Sequence, residues 1–160
     1  MKRYFKLASA LLGIIATLMM LFTQVTVKWG SGLKDAVAFK ALVGGKYSKL
    51  GTPFDAAGNG SGLAGYILVG AGALIILVTV LVPLFKEHDI LSSVVTGIGV
   101  ICAIVGTILI FLIRRSFANT NMLESSMVYV GWAAITGGSC ASLSAFAGAI
   151  GVVLDLSGNN

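Results

Sequence analysis

The sequence predicts an all-α membrane protein, a four-transmembrane-helix bundle with a long first extramembrane loop. Three observations lead to this fold class. The 160 residues are 57% hydrophobic and 11% charged, whereas soluble domains carry roughly 25% charged residues. Four apolar runs are long enough to cross the ~30 Å hydrocarbon core of a bilayer as helices. The runs lack the strict apolar and polar alternation of membrane β-strands, which excludes a barrel.

The charge balance excludes a nucleic-acid binding protein. The net charge of +5 comes from Lys and Arg residues scattered between apolar runs, without a basic stripe. Nucleic-acid binding domains instead concentrate their basic residues on one face or along one helix. The expected non-protein partner is therefore the lipid bilayer.

The four apolar runs set the helix boundaries within a single membrane domain, residues 1–160. The opening MKRYFK is interpreted as a basic anchor of an uncleaved first helix, because no small-x-small cleavage site follows the apolar run. The polar turn 86–89 is short enough to make the second and third helices antiparallel neighbours. Residues 114–126 are interpreted as a solvated turn. The predicted helices cover residues 7–27, 63–85, 90–113 and 127–154.

The first loop, residues 29–62, has two competing interpretations. The run that ends helix one, Val25 to Trp29, is rich in β-branched and aromatic residues and favours a strand. The segments Ala36–Val43 and Lys46–Leu50, joined by Gly44 and Gly45, predict a hairpin and hence a small β-sheet. The alternative is an amphipathic helix over residues 34–43 that lies on the membrane surface.

The arrangement of helices and loops resembles the claudin-like tetraspan membrane proteins and similar small bacterial membrane proteins. The resemblance covers the whole chain as topology: four helices, a long first loop with strands, and Trp29 directly after helix one. The claudin signature is not matched, because Trp29-Gly30 is followed by Ser31-Gly32-Leu33 and the loop has no cysteine. The resemblance therefore implies a loop sheet and helix faces that bind other proteins, without claudin barrier function.

The sequence offers little for catalysis. Membrane enzymes and transporters usually carry ionisable residues inside their helices, and the four predicted spans contain none. His88 is the one histidine and lies in a short polar turn that cannot surround a metal ion alone. Common catalytic and phosphate-binding motifs do not occur. We therefore expect no enzyme activity, no cofactor and no metal site.

The fourth predicted helix carries an unusual stripe of small residues. Such residues at i, i+4 spacing let another helix approach closely. The stripe either packs this bundle together or docks a partner. Its members are Ala133, Gly137, Ala141, Ala145 and Ala149, widened by Gly138 and Ser142.

These features predict a non-catalytic membrane protein that acts through protein–protein contacts. It would be an accessory or assembly subunit of a larger membrane complex, or a homo-oligomer, with the small-residue stripe of the fourth helix as its packing face. The loop would supply specificity through Trp29, Phe39 and Tyr47. The alternative is an oligomeric channel or small-solute transporter. The expected location is a bacterial plasma membrane. The basic N-terminus favours cytoplasmic termini, whereas the larger number of basic residues in the loops favours the opposite orientation.

Overall fold

Four long helices form the frame of the protein. The computed structural model describes residues 2–28, 34–47, 54–82 and 89–157. The four long helices are each long and apolar enough to cross a membrane, which confirms the prediction of four apolar helices. Their bounds are α1 Lys2–Leu18, α3 Gly60–Leu81, α4 Asp89–Phe111 and α6 Trp132–Leu156; shorter helices are α2 Lys40–Val43, α5 Ile113–Thr120 and a 3₁₀ turn, Met19–Leu21.

The long helices pack as an antiparallel bundle. Helices α3 and α6 each pack along both α1 and α4, so that α1 and α4 lie on one diagonal. We call the end that holds Lys2 and Leu156 the termini end, and the opposite end the cap end. The turn between α3 and α4, which includes His88, lies outside the described residues.

Glycines bring α3 and α4 into backbone contact. A Cβ atom on Gly72 would lie 2.5 Å from the carbonyl oxygen of Gly99, and one on Gly106 would lie 2.6 Å from that of Gly65. Such close approach is typical of helix pairs in membranes, where association depends on van der Waals packing rather than on the hydrophobic effect. These glycines therefore set the distance between the two helices.

Two small sheets and two short helices form a cap over the cap end. In the larger sheet, β1 lies between β2 and β5 and is antiparallel to both, with Thr26 opposite Ala36 and Tyr129. The smaller sheet pairs β3 with β4. The cap comprises these sheets with α2 and α5. The strands are β1 Val25–Lys28, β2 Lys34–Val37, β3 Gly45–Tyr47, β4 Phe54–Ala56 and β5 Val128–Val130.

The cap and the bundle share one hydrophobic core. Alternate residues of β1 face inward, so Val25 and Val27 are buried while Lys28 is exposed. They join Phe117 of α5 and Ile110 of α4 in the same cluster of buried side chains. The cap is therefore packed onto the helices as part of one folding unit.

The sequence interpretation of Gly44 and Gly45 was wrong. Strand β2 pairs with β1 rather than with the segment after the glycines, and residues 40–43 form α2. Gly44 ends α2, since its N–H donates to the carbonyl of Lys40 at 2.8 Å and its φ is 85°, a conformation that favours glycine. The alternative of a surface helix over 34–43 is wrong as well, because residues 34–37 are a strand.

Residues 114–130 are folded rather than a solvated turn followed by helix. Residues 113–120 form α5, whose Ile113 and Phe117 are buried. Residues 128–130 form β5, although they fall in the predicted fourth helix. Gly131 separates this strand from α6: a Cβ there would lie 2.3 Å from the carbonyl oxygen of Thr23. The chain therefore changes from strand to helix at Gly131, where its backbone passes close to Thr23, just before β1.

Candidate functional site

A buried ion pair lies at the termini end of the bundle. Lys6 of α1 and Asp155 of α6 are 3% and 4% exposed and form a salt bridge through Nζ and Oδ2. Lys6 was grouped with the basic anchor MKRYFK, but it lies inside the bundle against α4 and α6, whereas Arg3 of the same segment is exposed. Burial of a charge is costly unless a partner neutralises it, so each residue requires the other.

Serine hydroxyls of α4 complete this ion pair. The ammonium of Lys6 donates to Ser92 Oγ at 2.6 Å, and Ser93 Oγ donates to the Asp155 carboxylate at 3.3 Å. Gly151 makes space for the lysine chain, since a Cβ there would lie 2.9 Å from Lys6 Cγ. The cluster therefore ties α1, α4 and α6 together at one end.

A second set of buried polar side chains, all serine or threonine, forms hydrogen bonds between neighbouring helices. Ser9 Oγ donates to the Ser144 carbonyl at 2.7 Å, and Ser144 Oγ donates to the Ser9 carbonyl at the same distance. Thr79 and Thr96 hydroxyls lie 3.3 Å apart between α3 and α4. These bonds satisfy polar groups inside the bundle and fix the register of its helices.

Gln24 and Tyr66 join the cap to the bundle. Tyr66 of α3 is fully buried, and its hydroxyl donates to Gln24 Oε1 at 2.7 Å. Gln24 Nε2 donates to the carbonyls of Met19 and Phe22 at 2.6 and 3.1 Å. The Gln24 backbone also bonds β2 through Val37. This side chain therefore holds the chain where it leaves α1 and enters β1.

Asn59 and Asn121 fix the other side of the cap. Asn59 caps α3 by accepting from the Gly62 N–H at 3.2 Å, and its Nδ2 donates to the Ile113 carbonyl at 3.1 Å. The amide of Asn121 bonds both backbone groups of Ala57, at 2.7 and 3.2 Å. The two asparagines thus bind the start of α3 to α5 and to the turn after it.

Met122 is the most exposed large apolar side chain described, with 96% of its surface exposed. Its φ is 53°, the left-handed conformation that favours glycine. The bonds from Met122 to Asn119 and from Leu123 to Ala118 form a Schellman motif that ends α5. A long apolar side chain thus occupies an exposed position where glycine is the usual residue.

The small-residue stripe of α6 mostly faces the interior of the bundle. Ala133, Gly137, Ala141 and Ala145 are buried, and a Cβ on Gly137 would lie 3.0 Å from the Tyr66 hydroxyl. Gly138 is also buried, beneath the ring of Phe111. Leucine at Gly137 or Ala141 would therefore disrupt this bundle before any external contact. The two exposed members of the set are Ser142, whose hydroxyl donates to the Gly138 carbonyl, and Ala149.

The three predicted loop residues have different outcomes. Trp29 lies outside the described residues. Phe39 is half-buried, precedes α2 and packs against the shared core, so it supports the cap. Tyr47 is in β3 opposite Phe54. Sequence reasoning missed Gln24, Asn59 and Met122, although an Asn before an apolar helix is a recognisable cap signal.

Comparisons with protein-family models, curated proteins and solved structures find no match to this chain. The likeness to claudin-like tetraspan proteins thus stays a resemblance of topology.

Proposed function

We propose that this chain is a multi-pass membrane protein that acts without catalysis, by binding other membrane subunits or copies of itself through its cap. Four helices of sufficient length and apolarity support the membrane placement. We propose a bacterial plasma membrane with cytoplasmic termini, which the basic pair Lys2 and Arg3 at the start of α1 supports. The cap would then lie on the outer side.

The fixed position of the cap carries this proposal. Gln24 and Asn59 tie it to the bundle at separate points, and Asn121 ties the end of α5 to Ala57 within the cap. The inward valines of β1 belong to the shared core. A loop held in this way presents one surface to a partner, with little ordering entropy left to lose on binding. This supports recognition by the cap rather than a simple connection between helices.

The backbone conformation and exposure of Met122 also support recognition by the cap. Left-handed backbone costs an L-residue roughly 1–2 kcal/mol, and the exposed side chain gains little packing against the described part of the chain. Residues held in disfavoured backbone conformations cluster at functional sites. Methionine side chains also adapt well to binding surfaces. We therefore place Met122 within the proposed contact surface.

The bundle interior argues against conduction through one chain. The ion pair of Lys6 and Asp155 occupies the termini end, and the bond between Tyr66 and Gln24 crosses the cap end. The alternative of a channel therefore requires a pore between several copies.

The mass and composition of the particle extracted gently from native membranes test the proposal. We expect a particle heavier than one chain, with stoichiometric foreign subunits or identical copies. Met122→Gly should lower the bound fraction because it removes the exposed side chain. The same change relieves backbone strain and should raise the free energy of unfolding by roughly 1 kcal/mol, so loss of binding would not reflect unfolding.

Leu143→Ala is the matched control, because Leu143 is 56% exposed on α6, outside the cap. It should leave the particle unchanged. Single chains from native membranes, or equal assembly of the Met122→Gly protein, would contradict the proposal. A closed ring of identical copies that carries ion flux in liposomes would instead support the channel alternative.

A further inference from the structure

Exposed aromatic side chains lie at the cap end, where the long helices begin or end. We call this set, Phe22, Phe111 and Trp132, the aromatic level. Phe22 and Trp132 pack with ring centres 5.5 Å apart and remain 47% and 55% exposed. Trp132 is the first residue of α6, and Phe111, 48% exposed, is the last of α4. Exposed aromatic residues at the ends of apolar spans are typical of the interface between lipid and water.

Two arginines follow this aromatic level directly. Arg114 and Arg115 lie in the first turn of α5 and are both exposed. The guanidinium carbon of Arg114 lies 6.0 Å from the ring centre of Tyr129. Its Nη2 donates to the carbonyl of Ser125 at 2.7 Å. These two contacts hold the Arg114 side chain beside Tyr129 and Ser125.

The charge of Arg114 is not neutralised within the described part of the chain. The ion pair found there joins Lys6 and Asp155 at the opposite end of the bundle. Glu124 is the acidic residue closest in sequence to Ser125, and its carboxylate accepts from the Ser126 hydroxyl at 3.2 Å. A guanidinium has five N–H donors, so the bond to Ser125 leaves donors for an external anion.

We propose that Arg114, with Arg115 beside it, binds the phosphate group of an anionic phospholipid at this interface. The planar guanidinium can donate two parallel bonds to phosphate oxygens. Phe111, an exposed aromatic residue three positions before Arg114, ends the apolar span next to this site. The proposal rests on the membrane placement proposed above and is independent of protein association. Recovery of the protein in the membrane fraction tests that placement separately.

Native mass spectrometry of the purified full-length protein in detergent tests the lipid site. Phosphatidylglycerol and phosphatidylcholine with the same acyl chains are the probes. We expect the wild-type protein to retain phosphatidylglycerol preferentially. Arg114→Gln with Arg115→Gln should weaken its retention about ten-fold or more, because each basic residue near an anionic lipid surface contributes about 1 kcal/mol. Arg115→Gln alone, which leaves the contacts of Arg114 intact, should give part of that loss.

The matched control is Lys40→Gln with Lys46→Gln, which removes two exposed charges from the cap. It should change retention less than two-fold. Equal weakening in this control would overturn the proposal, because net charge alone would then explain binding. Unchanged retention after loss of both arginines would overturn it too. Saturable binding of inorganic phosphate that displaces phosphatidylglycerol would assign the site to a free anion instead.

Discussion

Asp155 lies at an electrostatically unfavourable position of α6. It lies in the last turn of α6, where the helix dipole disfavours negative charge. Lys6 from α1 and the Ser93 hydroxyl near the start of α4 offset this cost from neighbouring helices. A buried pair of this kind is weak evidence for stability, but it specifies which helix ends meet.

Loss of one partner of the ion pair should strongly destabilise the protein. Lys6→Met leaves the Asp155 carboxylate buried without its counter-charge, which costs about 3 to 5 kcal/mol of unfolding free energy. Unfolding in detergent measures this loss. The double variant Lys6→Met with Asp155→Leu should recover most of the lost unfolding free energy. Replacement of a buried ion pair by apolar residues of similar volume is often neutral or stabilising.

Arg3→Met is the control for this prediction. It removes a positive charge from an exposed position of the same helix and should change the unfolding free energy by less than about 0.5 kcal/mol. A Lys6→Met protein as stable as the wild type would show that the pair is not buried.

At the scale of elements, contact between α3 and α4 depends on glycine. Gly72 faces Gly99, and Gly65 faces Gly106, with carbonyl oxygens where a Cβ would stand. By contrast, a Cβ on Gly97 of α4 would meet nothing within 4 Å. Substitution of a glycine in the contact between α3 and α4 should therefore destabilise the protein, whereas substitution of Gly97 should not.

Gly72→Ala should destabilise the bundle, whereas Gly97→Ala should not. The methyl group at Gly72 meets backbone rather than a flexible side chain, so the helices must separate, at a cost of about 1–3 kcal/mol. At Gly97 alanine improves helix propensity by up to ~1 kcal/mol. Thermal unfolding of the two variants measures the difference. Equal effects would contradict the observed packing of α3 on α4.

The sequence predicted the elements that depend on local pattern. Apolar runs give the four long helices, and the β-branched residues after α1 give β1, where the buried Val25 and Val27 alternate with the half-buried Thr26 and the exposed Lys28. Strand β5 was missed because Val128, Tyr129 and Val130 are as apolar as the helix that follows. Its identity depends on pairing with β1, about 100 residues earlier.

The interior polar cluster could not be predicted for a similar reason. Lys6 and Asp155 are 149 positions apart and adjoin the ends of apolar runs, where charged residues usually face water. Only the packing of α1 against α6 brings them together. The small-residue stripe was recognisable, but its burial against Tyr66 and Phe111 is a property of the folded bundle.

At the scale of the whole molecule, the cap and the bundle share one core but have different surfaces. The bundle exposes apolar side chains such as Leu74 and Phe146, which suit lipid. The cap presents charged residues together with Met122. The shared core and the polar attachments of Gln24 and Asn59 fix the cap on the helices, so its surface has one orientation relative to the bundle. This fixed surface is the basis of the proposed role in assembly.

Site-specific photo-cross-linking in native membranes tests that role most directly. A photoreactive side chain is placed at Met122 in one protein and at Leu143 of α6 in another, since both positions are exposed. We predict that position 122 yields a product of defined mass with a partner subunit or second copy, whereas position 143 yields mainly lipid adducts. Protein products at position 143 and none at position 122 would contradict recognition through the cap.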